Sequence, residues 1–120
     1  MTSVLGGISV LVVEDSPVVA PFTRDVLSEL GCRVVGPATN MADARALAGT
    51  EQIDAAIIDI RIRGEKSFAI CEILAARDVP FFLTSGFADW PIPEEWKDRP
   101  RLQKPYSIGD LERTLTNLFL

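Results

Sequence analysis

Histidine is missing altogether from this 120-residue chain. That excludes a histidine base, a Ser-His-Asp triad and a histidine metal ligand, so any histidine in its chemistry has to come from a partner. Cysteine is scarce, and Cys32 and Cys71 stand without metal-ligand spacing; both read as buried or half-buried thiols. No apolar run approaches the roughly 18 residues of a membrane span. The start, Met1 to Gly7, lacks the basic region and long apolar core of a signal peptide. A cytoplasmic protein with no membrane partner is expected. Basic residues are outnumbered by acids, 12 against 17, and are dispersed, so the net charge of −5 argues against nucleic-acid binding by this chain alone.

What is present is apolar. Hydrophobic residues make up 48% of the chain, too many for a disordered one. The length suits one domain with a modest core, and no repeat, low-complexity tract or linker divides it. A single domain over residues 1–120 is expected.

Five short apolar runs, at 8–13, 33–35, 55–58, 81–84 and 101–103, alternate with helix-like stretches. Such runs, with no polar face, suit parallel strands covered on both sides. Ser16 and Pro17 can start a first helix running to about Leu30, with Pro21 bending its first turn and Gly31 ending it. Gly36-Pro37 stops the second run. Thr39 or Asn40 can cap a short helix over 42–47, followed by Gly49. The charged stretch 60–66, with Gly64, reads as a loop. Further helices are expected from Ser67 to about Arg77 and over about 108–119. The stretch 87–100 is irregular, holding Pro91, Pro93, Pro100 and both tryptophans, with at most one short helix near 93–97. The alternation predicts an α/β fold of (βα)5 type, a doubly wound five-stranded parallel sheet of order 2-1-3-4-5.

Polar residues recur where the apolar runs stop. Glu14 and Asp15 follow the first run, Asp59 the third, Ser85 the fourth and Lys104 the fifth. In a doubly wound sheet the carboxyl ends of the strands line one edge, where ligands sit. Folding would gather three acids, a hydroxyl and a lysine there. Crowded carboxylates repel, and a divalent cation relieves them. Magnesium (Mg2+) keeps several waters and needs only two or three carboxylates. Asp15 and Asp59 are the expected direct ligands. Glu14 acts directly or through water, and the backbone carbonyl of Arg61 offers another oxygen. Asp59 is also the best nucleophile: attack on a phosphoryl group would give an acyl phosphate. Lys104 and Ser85 would then serve phosphoryl oxygens that the cation leaves. Taken singly each residue is an ordinary strand-end or turn residue; the coincidence at four strand ends carries the reading.

These residues resemble the receiver domain of a two-component response regulator, the CheY-like (flavodoxin-like) family. The matching pieces are Val10-Leu-Val-Val-Glu-Asp15, Ile57-Ile-Asp59, Thr84-Ser-Gly86 and Lys104-Pro105. The resemblance implies that Asp59 accepts a phosphoryl group from the phosphohistidine of a sensor histidine kinase or a histidine phosphotransfer protein, with magnesium required. It makes Glu14 and Asp15 the acidic pair, Lys104 the phosphate-binding lysine and Ser85 the switch hydroxyl. Thr84 is the fallback for that last role, since strand neighbours point oppositely. Pro80-Phe81, Gly86-Phe87, Ile92-Pro93 and Arg99-Pro100 are similar to stand-alone receivers of alphaproteobacterial type.

Two departures from the family pattern stand out. Arg101 occupies the position of the usual aromatic switch residue, three before the lysine, and the fourth helix is short and broken by proline. Output coupling through Phe87 or the Trp90–Trp96 loop is expected instead. The leading expectation is a single-domain response regulator, a phosphoacceptor rather than a turnover enzyme, signalling by binding a target protein or a second copy of itself. A phosphate shuttle or sink between histidine-phosphorylated proteins is the alternative. A receiver working without phosphorylation is a further reading. An aspartate-nucleophile phosphatase is disfavoured, because Arg61 stands where such enzymes place a second aspartate.

Overall fold

Strands rich in Val, Ile and Leu leave the chain no polar face to expose, so the sheet has to be covered on both sides. A computed structural model describes residues 4–86 and 89–120. In chain order it shows β1 (Ser9–Val13), α1 (Val19–Glu29), β2 (Arg33–Ala38), α2 (Met41–Thr50), β3 (Ala55–Asp59), β4 (Arg61–Ile62), β5 (Glu65–Lys66), α3 (Phe68–Ala76) and β6 (Phe81–Ser85). A 3₁₀ turn (Glu94–Trp96), β7 (Arg101–Gln103) and α4 (Ile108–Asn117) complete it. The main sheet is parallel throughout, in the order β2-β1-β3-β6-β7. Counting only its own strands, this is the expected 2-1-3-4-5.

Strand alternation divides the core. Leu11, Val13, Ile58 and Leu83 face one layer with Ile70 and Leu74 of α3 and Ala44 of α2. Val10, Val12, Ile57 and Phe82 face the other, with Val26 and Leu27 of α1 and Leu111 and Leu115 of α4. Each large apolar side chain so buried contributes roughly 1.5–3 kcal/mol. Register brings the strand ends level: Val13 pairs with Ile58, Asp59 with Thr84 and Ser85 with Gln103. Both cysteines are buried and free. Among the described residues no helix is long and apolar enough to cross a membrane.

Three expectations need correction. The second strand does not stop at Gly36-Pro37. It bulges and resumes to Ala38, because Gly36 adopts φ +95° and a Cβ there would meet the Ala38 nitrogen at 2.7 Å. Residues 60–66 are not plain loop but a small antiparallel hairpin of β4 and β5. Its two turn residues, Arg63 and Gly64, both have positive φ, as a tight hairpin requires. The first helix begins later than Ser16-Pro17 suggest: α1 starts at Val19, and Pro21, with no amide to donate, lies between Ala20 and Phe22, whose amides donate to the Ser16 and Val18 carbonyls at 3.0 and 3.4 Å. Ser16 caps the turn that leads into α1, its Oγ accepting from Val18 and Val19.

The irregular reading of 87–100 holds: among its described residues the segment between β6 and β7 carries no α-helix, only the 3₁₀ turn at Glu94–Trp96, inside the stretch where at most one short helix is expected. Pro93 stands at the start of the 3₁₀ turn, and Pro100 closes the segment before β7.

Candidate functional site

Four of the sequence-selected side chains meet at the carboxyl ends of β1, β3 and β7. Glu14 follows β1 directly, and its amide donates to the Ala38 carbonyl at 3.0 Å, holding the ends of β1 and β2 together. The residue is only 3% exposed. Burial, and next the charge of Asp59, push its carboxyl up to about 7, against the Ser16 amide and Lys104.

Asp59 ends the central strand and is 2% exposed. The Ser67 hydroxyl donates to its carbonyl at 2.6 Å, which fixes the strand end. Its carboxylate is claimed from two sides: Oδ2 accepts from Lys104 Nζ at 2.7 Å and Oδ1 from the Arg61 amide at 3.2 Å. Asp15 is half-buried, and its Oδ2 accepts from the Arg63 amide at 2.7 Å, fastening the β4–β5 hairpin to the end of β1.

Lys104 enters from the end of β7, where its amide donates to the Ser85 carbonyl at 2.8 Å. Its Nζ lies 3.3 Å from both oxygens of Glu14 as well as 2.7 Å from Asp59. Burial alone would lower its affinity for a proton. The two carboxylates outweigh burial and hold it above the ordinary lysine value.

Glu14, Asp15 and Asp59 each offer a carboxylate oxygen within 4.8 Å of the others. Three hard oxygen donors, two of them nearly buried and balanced by a single lysine, are the donor set of a small divalent cation. The residues present fit magnesium.

The two candidate hydroxyls are separated by strand alternation. Thr84 is 1% exposed, and its Oγ1 has no hydrogen-bond partner among the described residues. Ser85 is half-buried and lines a cleft of about 430 Å³ with Ile60, Gly86, Asp89, Trp90, Arg101 and Gln103. Arg101 is exposed there. Phe87, named above as a possible coupling residue, lies outside the described residues.

One cluster beside the notch was not foreseen. The Arg61 side chain crosses to the β6–β7 segment, where Nε donates to Asp89 Oδ1 at 2.8 Å and the guanidinium lies 4.1 Å from the centre of the Trp90 ring. The other Asp89 oxygen accepts from the Gly86 amide at 2.6 Å. Partial burial raises the Asp89 carboxyl, but Arg61 and the Gly86 amide overcome this and hold it below the usual range. Nothing in the sequence marks Asp89: it lies 28 residues from Arg61, in a stretch without periodicity.

The comparisons with known proteins agree with this fold. The model of the response regulator receiver domain family matches residues 10–99. The chain is 30% identical over 106 residues to the transcriptional regulatory protein PdtaR of Mycobacterium tuberculosis; the match takes in 85% of this chain but 52% of that protein. The chain thus spans about half the length of the curated relatives it matches. Among solved structures it is similar to SdrG of Sphingomonas melonis, at 36% identity and a TM-score of 0.85, covering 98% of this chain and all of that one. It shares its fold, at 23% identity and a TM-score of 0.76, with the receiver domain of the sensor histidine kinase PA1611 of Pseudomonas aeruginosa, over 94% of this chain and 98% of that one. That structure has a magnesium ion coordinated in its active-site cleft.

Proposed function

Since this chain belongs to the response regulator receiver domain family, we propose that it is a single-domain response regulator that takes a phosphoryl group on Asp59 from a phosphohistidine. The donor is a sensor histidine kinase or a histidine phosphotransfer protein, because the chain has no histidine of its own. The observation that carries this reading is the Lys104 ammonium held 2.7 Å from a buried Asp59 carboxylate, with Glu14 and Asp15 beside it.

In this mechanism an Asp59 oxygen attacks phosphorus. The phosphorus–nitrogen bond breaks, its electron pair returns to the donor imidazole, and an acyl phosphate remains on Asp59. Glu14, Asp15, Asp59 and the carbonyl of Arg61 would hold magnesium, which when bound offsets carboxylate and phosphoryl charge. Lys104 passes from the Asp59 carboxylate to a phosphoryl oxygen. The Arg61 amide, already on Oδ1, keeps Asp59 in place. Ser85 supplies a hydroxyl; its place at the cleft wall supports it over Thr84, whose hydroxyl is sealed in the core. No side chain here is assigned to turnover of a small substrate. The phosphoryl group adds about −1.5 to −2 charge to the notch, and the β6–β7 side answers by changing its affinity for a target protein or a second copy.

The test is phosphorylation by a phosphohistidine donor with Mg2+, read as a phosphate-affinity gel shift. Wild type is expected to shift; Asp59→Asn and chelator-treated protein are expected not to, and Lys104→Ala at least tenfold more slowly. A shift that survives in Asp59→Asn would overturn the assignment.

A further inference from the structure

We propose that the Arg61 guanidinium is a phosphoryl-responsive tether, holding Asp89 and Trp90 while Asp59 is free and passing to the phosphoryl oxygens once Asp59 is loaded. The inference rests on Asp59 as phosphoacceptor and names how that site reports its state. Arg61 stands two residues past Asp59, and its own amide sits on Asp59 Oδ1, so its backbone is fixed at the reacting group. Its side chain points the other way in function: one ion pair to Asp89 and one stack on Trp90 hold the segment that follows Ser85. Asp89 in turn accepts from the amide of Gly86, the residue after Ser85. A single side chain therefore joins the phosphoacceptor loop to the stretch around the switch hydroxyl.

The exchange follows from charge. A carboxylate offers the guanidinium one negative charge, and a phosphoryl group offers nearly two, with oxygens matched to bidentate donation. The Arg61 side chain is 43% exposed, so it can turn without crossing the core. Asp89 does not lose every partner when Arg61 leaves: it keeps the Gly86 amide, and Arg101 and Gln103 line the same cleft. Lys66, with Nζ 5.6 Å from the Trp90 ring, is the remaining cation over that ring. Trp90 thus loses its closer cation and is free to re-seat. This gives the segment a means of response that does not require an aromatic side chain at position 101.

The test uses the full chain with 5-fluorotryptophan, read by fluorine NMR, with Mg2+ and beryllofluoride as the phosphoryl mimic. The two tryptophan signals are assigned with Trp90→Phe. Loading is expected to move the Trp90 signal and leave that of buried Trp96 in place. Asp89→Asn is expected to load normally and to start with its Trp90 signal displaced toward the loaded position. Arg61→Gln should start there as well and move by less than half the wild-type amount on loading, with Arg61→Lys between. Bound fluoroberyllate appears in the same spectrum. Its presence with an unmoved Trp90 signal, or with an equal movement in Arg61→Gln, overturns the tether alone. Its absence from wild type removes the phosphoacceptor reading and the tether together.

Discussion

The acidic notch and the segment from Asp89 to Pro100 lie side by side, yet different forces hold them. Glu14 and Asp59 stand at the ends of strands whose residues are buried on both faces, and hydrogen bonds to their own backbone, from Glu14 N–H to the Ala38 carbonyl and from the Ser67 hydroxyl to the Asp59 carbonyl, set their positions. The neighbouring segment has a 3₁₀ turn where the other crossovers have helices. Side chains pin it. Trp96 packs edge-on against Phe81, with ring centres 5.7 Å apart; Arg99 lies 4.2 Å over the same Phe81 ring; Arg61 reaches across to Asp89 and Trp90. Reacting groups need placement that does not drift, which strand ends supply. A responding element needs contacts that one new charge can re-set, which a few exposed cations on aromatic rings and carboxylates supply.

The sharpest way to break this comparison is to remove the apolar pin. Trp96→Ala empties a buried site and is expected to cost about 3–5 kcal/mol in urea unfolding. Magnesium affinity of the folded protein, read by titration, should stay within about twofold. A tenfold loss would mean that the notch depends on the segment after all.

A smaller effect tests the notch. Glu14 titrates near 7 in the folded protein without metal and near 4.5 when unfolded. Between those values the folded state holds a proton that the unfolded state has lost, so stability falls as pH rises. The slope from this group approaches about 1.4 kcal/mol per pH unit. Asp89 and Asp110, held below their ordinary value of 3.8, act in the opposite sense, gaining stability as pH rises, but only below that window. Unfolding at pH 5, 6 and 7 in chelator should show the fall in wild type and lose it in Glu14→Gln. A fall unchanged by Glu14→Gln would place the buried proton elsewhere.

The smallest expected effect concerns the surface of the segment. Lys97 pairs with Glu94 at 2.8 Å, but both side chains are well exposed. Lys97→Ala should change stability by less than about 1 kcal/mol. A larger loss would show that surface ion pairs, and not Trp96 and Arg99, hold the segment.

Much of this was legible in the chain. Short apolar runs at 55–58 and 81–84 announce buried parallel strands, and the polar residue after each announces its strand end. Asn40, one of the two caps offered, acts as one, accepting from the Asp43 amide. Other features were not legible. The hairpin at 61–66 is too short for any periodicity, and its signal is only Arg63-Gly64. The continuation of β2 past Gly36 depends on the close approach of Val12, far away in sequence. The link from Arg61 to Asp89 depends on the placing of two loops.

By itself, then, the sequence determined the α/β class, the strand order and the set of polar residues gathered at one sheet edge, because hydrophobic periodicity and the topology of parallel sheets leave few alternatives. Only the tertiary structure decided how deeply Glu14 is buried, which of Ser85 and Thr84 lines a cleft, and where the Arg61 side chain goes. Those outcomes depend on distances between segments that are remote in the chain, and no local preference encodes them.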